Sequence, residues 1–128
     1  EKALLEKLAI NCIINPMTAL LNIPNGNLID DSHKPKLDTA IREVAAIFNG
    51  SGHTDIAKNL SQQVLHVISD TAQNSSSMRI DRQHQAKTEH EEILGYLLES
   101  FGNPKKKEKP ETPLLCSWLS ALRQPYPS

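Results

Sequence analysis

The sequence is poor in aromatic residues and carries almost no net charge. Phenylalanine, tryptophan and tyrosine make up 4% of its 128 residues, too few for the stacking platforms that hold unpaired bases. The formal net charge of −1 gives no electrostatic attraction to nucleic acid or to a membrane surface. No apolar run is expected to reach the length of a membrane span. The sequence therefore favours neither a nucleic-acid nor a membrane partner.

Cysteine is scarce, and the histidines form no recognisable pattern. Cys12 and Cys116 lie far apart and in no metal-ligand spacing, which favours a reducing, cytoplasmic compartment. The histidines at 33, 53, 66, 84 and 90 fit no helical ligand motif, so we predict no metal site. No serine or cysteine is accompanied by a recognisable histidine and acid for nucleophilic catalysis.

Strand patterns are also missing, because no stretch alternates apolar and polar residues convincingly. Helical spacing recurs instead, and a chain of this length buries enough surface for one core. We therefore expect one all-α domain over residues 1–128. The periodicity and the intervening Gly, Pro and Ser stretches predict about six helices, at about 2–22, 36–48, 54–72, 78–83, 89–101 and 113–122.

The first helix is predicted to be the buried centre of the fold. Its surface is apolar almost all round, which is typical of a core helix. Pro16 lies inside it and removes one backbone hydrogen bond, so we expect a kink beside Asn15. No capping residue precedes the periodic pattern, which predicts that the natural chain extends upstream.

One narrow polar stripe interrupts the apolar surface of this helix. With about 100° per residue, its members fall within about 80° of one another. They are Lys7, Asn11, Asn15, Thr18 and Asn22, and we call them the stripe. No acidic residue belongs to the stripe, so a buried Lys7 ammonium would need a counter-charge from elsewhere in the fold or from a ligand.

Two interpretations of the stripe remain open at this point. In the structural one, the side chains form an interhelical ladder of hydrogen bonds and Lys7 reaches solvent at the helix start. In the functional one, they form the polar wall of a site for a small, anionic, oxygen-rich molecule. Three asparagines in one helix favour the functional interpretation, because asparagine is a poor helix former.

Three other segments place polar groups near helix ends. Pro24-Asn25-Gly26 predicts a tight turn, in which Asn25 either presents its amide inward or closes an Asx-turn. The serines at 75–77 are typical of a solvated loop, but they can also present hydroxyl and backbone N–H groups to a carboxylate. Glu89 follows Thr88 in the first turn of the fifth helix, where a carboxylate has an ordinary role near the helix dipole.

Taken in order, these segments resemble the C-terminal domain of ketopantoate reductases (2-dehydropantoate 2-reductases). The resemblance rests on a Lys7-x3-Asn11-x3-Asn15-Pro16 helix, an Asn25-Gly26 turn, a Ser76-Ser77-Met78 loop, and a Lys87-Thr88-Glu89 helix start followed by Gly95. It covers roughly residues 1–101. The lysine-rich segment at 105–109 and the helix around Trp118 do not match the family's usual ending closely.

The resemblance implies both a fold and an activity. The fold would be that of the C-terminal domain of 6-phosphogluconate dehydrogenases. The activity would be the NADPH-dependent reduction of 2-dehydropantoate to (R)-pantoate, a step toward pantothenate and coenzyme A. An N-terminal Rossmann domain would bind most of the NADPH, and its Gly-x-Gly-x-x-Gly motif does not occur in this sequence. These 128 residues alone are therefore expected to be inactive.

The resemblance also assigns roles to six residues, in a cleft between the two domains. Lys7 would donate a proton to the ketone oxygen as hydride arrives, which suits an ammonium near a growing negative charge. The other five would be Asn11, Asn15 and Asn25 on the substrate's oxygens, Ser77 on its carboxylate, and Glu89 at the cofactor end. Amides suit this task because they both donate and accept hydrogen bonds without adding charge.

Two rival functions remain open beside this one. A paralogous reductase would use the same helix for another 2-oxo acid. A non-catalytic helical module for dimerisation or interaction would keep the helices without the chemistry. A homodimer with the stripe buried at its contact would favour that second rival.

Overall fold

The computed structural model describes residues 2–101 and 110–125, and these ranges contain helices and connecting turns but no strand. The six α-helices are α1 (Lys2–Leu21), α2 (Lys34–Gly50), α3 (Thr54–Asp70), α4 (Ser77–Gln83), α5 (Tyr96–Ser100) and α6 (Pro113–Leu122). A short 3-10 helix, Asn25–Ile29, follows α1, and a π-helical turn, Glu91–Gly95, leads into α5. The all-α prediction is therefore confirmed, and the likeness to 6-phosphogluconate dehydrogenases stays a prediction.

The helix predicted over 89–101 is divided between the π turn and α5. The π turn lies against α1, where the Cys12 Sγ donates a weak hydrogen bond to the Ile93 carbonyl (3.4 Å). Gly95, the last residue of the π turn, lies close to the side chain of Glu91, its first residue. A Cβ at position 95 would lie 2.8 Å from Glu91 Oε1. Short π turns often occur at functional sites.

α1 is the central helix and packs against α2, α3, α4, α6 and the π turn. Between Ala9 and Ala19 most of its side chains are buried, but its first two turns are more open. Leu4 is 65% exposed, and Lys7 is exposed as well. The predicted burial of α1 therefore holds beyond its first two turns, and Lys7 reaches solvent, as in the structural interpretation of the stripe. The Lys7 ammonium needs no buried counter-charge, because it is in contact with solvent.

The start of α1 is more exposed than the rest of the helix, although α3 contacts it on one side. Gln63 of α3 donates a hydrogen bond to Glu6 (3.1 Å), and Lys2 forms an ion pair with Asp55 (2.9 Å). Farther along the helix Pro16 is buried, and the kink that we expect beside it stays a prediction.

By length and composition, α1 is long and apolar enough to cross a membrane. The sequence expectation that no apolar run reaches this length is therefore wrong. Helices in a protein core share this length and composition, and Ile13 and Met17 of α1 are fully enclosed by the fold. We assign no membrane span to α1.

α6 is held in place by a buried carboxylate that the sequence analysis did not single out. Glu43 of α2 is 7% exposed and accepts hydrogen bonds from the backbone N–H groups of Leu114 (3.0 Å) and Leu115 (2.9 Å). These N–H groups lie in the first turn of α6 and have no partner within the helix itself. At the other end of α6, Arg123 forms two hydrogen bonds with Glu91 of the π turn (2.6 and 2.9 Å).

Candidate functional site

The first three members of the stripe lie on an open side of α1. Lys7 is exposed, and Asn11 and Asn15 are half-buried. Their side chains form no hydrogen bond or ion pair with residues 2–101 or 110–125. One ammonium and two amides thus lie on one helix face with their donors and acceptors open to a ligand or to water.

The last two members of the stripe are used by the fold. The buried Thr18 Oγ1 lies 2.7 Å from the Ile14 carbonyl oxygen and 2.7 Å from Ser76 Oγ, just before α4. Asn22 has a left-handed backbone (φ 56°), and its Oδ1 accepts hydrogen bonds from Arg79 (3.1 Å) and Gln83 (2.6 Å) of α4. The interhelical ladder is therefore present, but only at this end of the stripe.

The three serines before α4 have three different environments. Ser76 is buried and caps α4, because its Oγ accepts a hydrogen bond from the Arg79 N–H (3.1 Å). Ser75 Oγ accepts another from Arg79 Nη1 (2.7 Å). Ser77 is exposed, and its hydroxyl has no partner in the part of the chain that the structure describes. Ser77 directly follows Ser76, whose Oγ is hydrogen-bonded to Thr18 of the stripe. The start of α4 is thereby held against α1.

Asn25 is buried at the start of the 3-10 helix. The predicted tight turn is present there as its first turn, because the Asn27 N–H donates a hydrogen bond to the Pro24 carbonyl (3.1 Å). The N–H of Asn25 donates to the Asn74 carbonyl (3.0 Å), and the N–H of Gly26 donates to the Ala72 carbonyl (2.8 Å). Glycine is required at position 26, since a Cβ there would lie 2.8 Å from both the Ala72 Cβ and its carbonyl oxygen. These contacts fix Asn25 beside the 71–77 segment.

The side chain of Asn25 is only partly used by the fold. Its Nδ2 donates a hydrogen bond to Thr71 Oγ1 (2.9 Å), while Oδ1 is buried and has no partner among the described residues. Leaving a buried acceptor unpaired costs about 1–3 kcal/mol. The groups left for a substrate contact are the enclosed Oδ1 and the second proton of Nδ2, and the predicted role of Asn25 stays a proposal.

Glu89 is exposed just before the π turn, and its carboxylate has no partner within the described ranges. The neighbouring side chains do contact one another. The buried Thr88 hydroxyl lies 2.6 Å from His90 Nδ1, and His90 Nε2 lies 3.3 Å from Glu91 Oε2. The hydrogen bonds from Arg123 lower the pKa of Glu91. The Glu91 carboxylate is thus bonded to Arg123 at the end of α6, whereas the Glu89 carboxylate has no partner among the described residues.

A cavity of about 500 Å³ lies near this end of the site, between the 82–90 segment and the end of α6. Its lining carries Arg82, Lys87 and His90 on one side and Leu122 and Gln124 on the other. None of the six predicted site residues lines it, so the candidate site is an open face of α1 rather than this cavity. No group of three or more His, Cys, Asp or Glu side chains in the described ranges is placed to hold a metal ion.

Comparison with known proteins agrees with this arrangement of segments. The sequence profile described as "Ketopantoate reductase PanE/ApbA C terminal" matches residues 1–123. The chain belongs to this family. The ketopantoate reductase profile reaches beyond residue 101 and includes α6, where the sequence resemblance had ended. The contacts of α6 with Glu43 and Glu91 show why this helix is part of the same unit.

Three 2-dehydropantoate 2-reductases illustrate how far the similarity extends. The protein from Salmonella typhimurium is 44% identical over 93 residues, which are 73% of this chain and 30% of that protein. The protein from Vibrio cholerae is 38% identical over 98 residues (77% and 33%), and that from Halobacterium salinarum 31% over 100 residues (77% and 33%). The chain therefore spans about a third of the length of these ketopantoate reductases.

Sequence reasoning did not find the roles of Thr71 and Ser76 at the site, or the role of Glu43 in holding α6. No sequence pattern marks Thr71, although its Oγ1 accepts a hydrogen bond from the amide of Asn25. Ser76 could not be told apart from Ser77, because both are serines in the same short loop. The signal for Ser76 was its position three residues before Arg79, which is the spacing of a helix cap.

Proposed function

We propose that this chain is the C-terminal, substrate-binding domain of a cytoplasmic, NADPH-dependent reductase of 2-dehydropantoate. The observation that carries the proposal is the open half of the stripe. There, Lys7 lies beside Asn11 and Asn15 on one helix, and none of the three is paired with another described side chain. An ammonium and two amides without structural partners suit an anionic substrate that has several oxygens.

In this proposal Lys7 is the catalytic residue. When bound, NADPH supplies a hydride to the ketone carbon, and negative charge then develops on the ketone oxygen. The Lys7 ammonium stabilises that charge and gives the oxygen a proton, which leaves a neutral amine and a hydroxyl group. Asn11 and Asn15 hold the substrate's oxygens, so that the ketone faces the ammonium.

Ser77 and Asn25 complete the substrate contacts in this proposal. The exposed Ser77 hydroxyl donates a hydrogen bond to the substrate carboxylate, and Asn25 Oδ1 accepts one from a hydroxyl group. The assignment to Ser77 is supported by its free hydroxyl, because Ser75 and Ser76 are already bonded to Arg79. The assignment to Asn25 is supported by its unpaired buried oxygen.

The residues of this chain fit NADPH only in part. The exposed Glu89 carboxylate can accept hydrogen bonds from ribose hydroxyl groups, as proposed for the cofactor end of the site. The dinucleotide-binding glycine motif is not in this sequence. We therefore assign most of the cofactor contacts to an N-terminal Rossmann domain of the parent protein, which would face the open side of α1.

The direct test uses the full-length parent protein, with its upstream region. We expect it to oxidise NADPH rapidly with 2-dehydropantoate, and much more slowly with a panel of other 2-oxo acids. Preference for a different 2-oxo acid would keep the chemistry and change the substrate. If the folded protein binds NADPH but reduces none of the acids, the proposal is wrong, and a non-catalytic helical module becomes the better description.

A further inference from the structure

The most constrained polar contact near the proposed site joins α1 to the start of α4. Thr18 is fully buried, and its Oγ1 lies 2.7 Å from the Ile14 carbonyl, 3.2 Å from the Asn15 carbonyl and 2.7 Å from Ser76 Oγ. A hydroxyl has one proton, and a backbone carbonyl can only accept. Thr18 therefore donates to the Ile14 carbonyl, and its oxygen accepts the proton of Ser76.

This direction of bonding uses up both hydroxyl groups. Ser76 donates its only proton to Thr18, and its oxygen accepts the Arg79 N–H at 3.1 Å. Ser76 is thus committed to the fold, while the adjacent Ser77 keeps a hydroxyl with no partner in the described ranges. Thr18 also lies three residues after Asn15, whose side chain belongs to the open half of the stripe.

We propose that Thr18 is a positioning residue, which fixes the distance between the open half of the stripe and Ser77 through its bond to Ser76. The inference rests on the proposed function, since it assigns the carboxylate end of the substrate to Ser77. Thr18 itself is buried and would not touch the substrate. Loss of its hydroxyl would let the start of α4 move relative to α1, and substrate binding would weaken while proton donation by Lys7 continued.

The test compares near-isosteric variants of the full-length protein. Thr18→Val removes the hydroxyl and keeps the shape, and Thr18→Ser restores the hydroxyl. For Thr18→Val we expect KM for 2-dehydropantoate to rise about tenfold, with kcat changed less than about threefold and KM for NADPH unchanged. Thr18→Ser should behave almost as the wild type. A merely structural role would lower Tm without this selective change in KM.

The chain offers a matched control in Thr39 of α2. Its hydroxyl also donates to the carbonyl four residues earlier (Pro35, 3.0 Å) and accepts one side-chain hydrogen bond, from Arg42 (3.1 Å). Thr39→Val therefore removes the same kinds of contact, and we expect KM to stay unchanged. Ser76→Ala removes the contact from the other side and keeps the test valid if Thr18→Val does not fold. Combining Ser76→Ala with Thr18→Val should raise KM no further than Ser76→Ala alone.

The outcomes separate this inference from the proposed function. If the wild type reduces 2-dehydropantoate and Thr18→Val has the same KM as Thr39→Val, only the role of Thr18 is wrong. Fully additive effects of Thr18→Val and Ser76→Ala on KM would also overturn it. If the wild type neither reduces nor binds any 2-oxo acid, both the proposed function and the role of Thr18 fail.

Discussion

The two ends of the stripe differ although they share one helix and one periodicity. Toward the N-terminus, Lys7, Asn11 and Asn15 have no partner among the described residues, and they lie on a face that is open or half-open to solvent. Toward the C-terminus, Thr18 and Asn22 are bonded to α4 or to the residue that caps it. The difference arises from which helices contact α1 at each end of the stripe. α4 packs over the C-terminal end, whereas α3 contacts α1 beside the N-terminal end on one side.

The comparison shows how one polar pattern can serve two purposes. The bonded end fixes α4 and the serine loop, because each of its polar groups is satisfied by a neighbour. The open end leaves its hydrogen-bonding groups without a partner among the described residues, although asparagine is a poor helix former. A rigid end beside an unpaired end is the arrangement expected of a preorganised binding site.

The largest expected effect comes from removing the ammonium at the open end. In the full-length protein, Lys7→Met should lower kcat by about 10²–10⁴-fold, because a general acid contributes about that much. Stability should not change measurably, since Lys7 is exposed and has no described partner. Steady-state kinetics and thermal unfolding check both statements, with Lys58→Met on the exposed side of α3 as the control. Near-normal turnover of Lys7→Met would exclude Lys7 as the proton donor.

A pair of asparagine variants tests the comparison itself. Asn11→Ala should raise KM for the 2-oxo acid about tenfold or more, through loss of a direct hydrogen bond. It should leave stability unchanged or raise it by up to about 0.7 kcal/mol, because alanine is the better helix former. Asn22→Ala should instead lower the free energy of unfolding by about 1 kcal/mol, since it removes two hydrogen bonds at a left-handed residue. A reversed pattern would show that the two ends have been assigned wrongly.

Glu43 allows stability to be separated from binding at a place outside the stripe. Glu43→Ala should lower the free energy of unfolding by about 2 kcal/mol, because two backbone N–H groups of α6 lose a charged acceptor. KM for the 2-oxo acid should not change, since the open end of the stripe is left intact. Glu111→Ala, an exposed acidic residue just before α6, is the control. A rise in KM as large as that of Asn11→Ala would show that KM follows stability alone.

The smallest expected effect concerns Cys12, which lies on a buried side of α1. Burial raises the pKa of the Cys12 thiol, so it forms little thiolate at neutral pH, whereas Cys116 is exposed. A thiol reagent should modify only Cys116 within this folded domain, and both cysteines after denaturation. Mass spectrometry of the labelled peptides distinguishes the two sites. Rapid native labelling of Cys12 would mean that α1 is less enclosed than described.

Much of the fold could be predicted from the sequence, because helical periodicity depends on local spacing. The spacing of Leu37, Ile41 and Val44 predicted α2, and all three side chains are buried. The π turn could not be predicted, because it depends on how Gly95 approaches Glu91 and how Ile93 meets α1. The exposure of Lys7 belonged to one of the two open interpretations of the stripe. The sequence could not decide between them, since periodicity gives the faces of a helix but not which elements cover them.

The candidate site was predictable in its residue types but not in their environments. The sequence singled out the stripe, Asn25, the serine loop and Glu89. The resemblance to ketopantoate reductases proposed roles for six of these residues, but none for Thr18, Asn22 or Ser76. It could not show that Ser76 is a cap while Ser77 is free, because the two differ only in tertiary contacts. Nor could it show that Asn25 is already bound to Thr71.

The most direct test of the central claim is the NMR response of the asparagine side-chain amides to the reaction product. The full-length protein would be labelled with ¹⁵N at asparagine, and the Asn11, Asn15 and Asn22 signals assigned by substitution. Pantoate would then be added in the presence of NADP⁺. We expect the side-chain signals of Asn11 and Asn15 to shift with saturation while that of Asn22 stays in place. A shift confined to Asn22, or no shift at Asn11 and Asn15 at saturating pantoate, would contradict the assignment of the open end of the stripe as the substrate site.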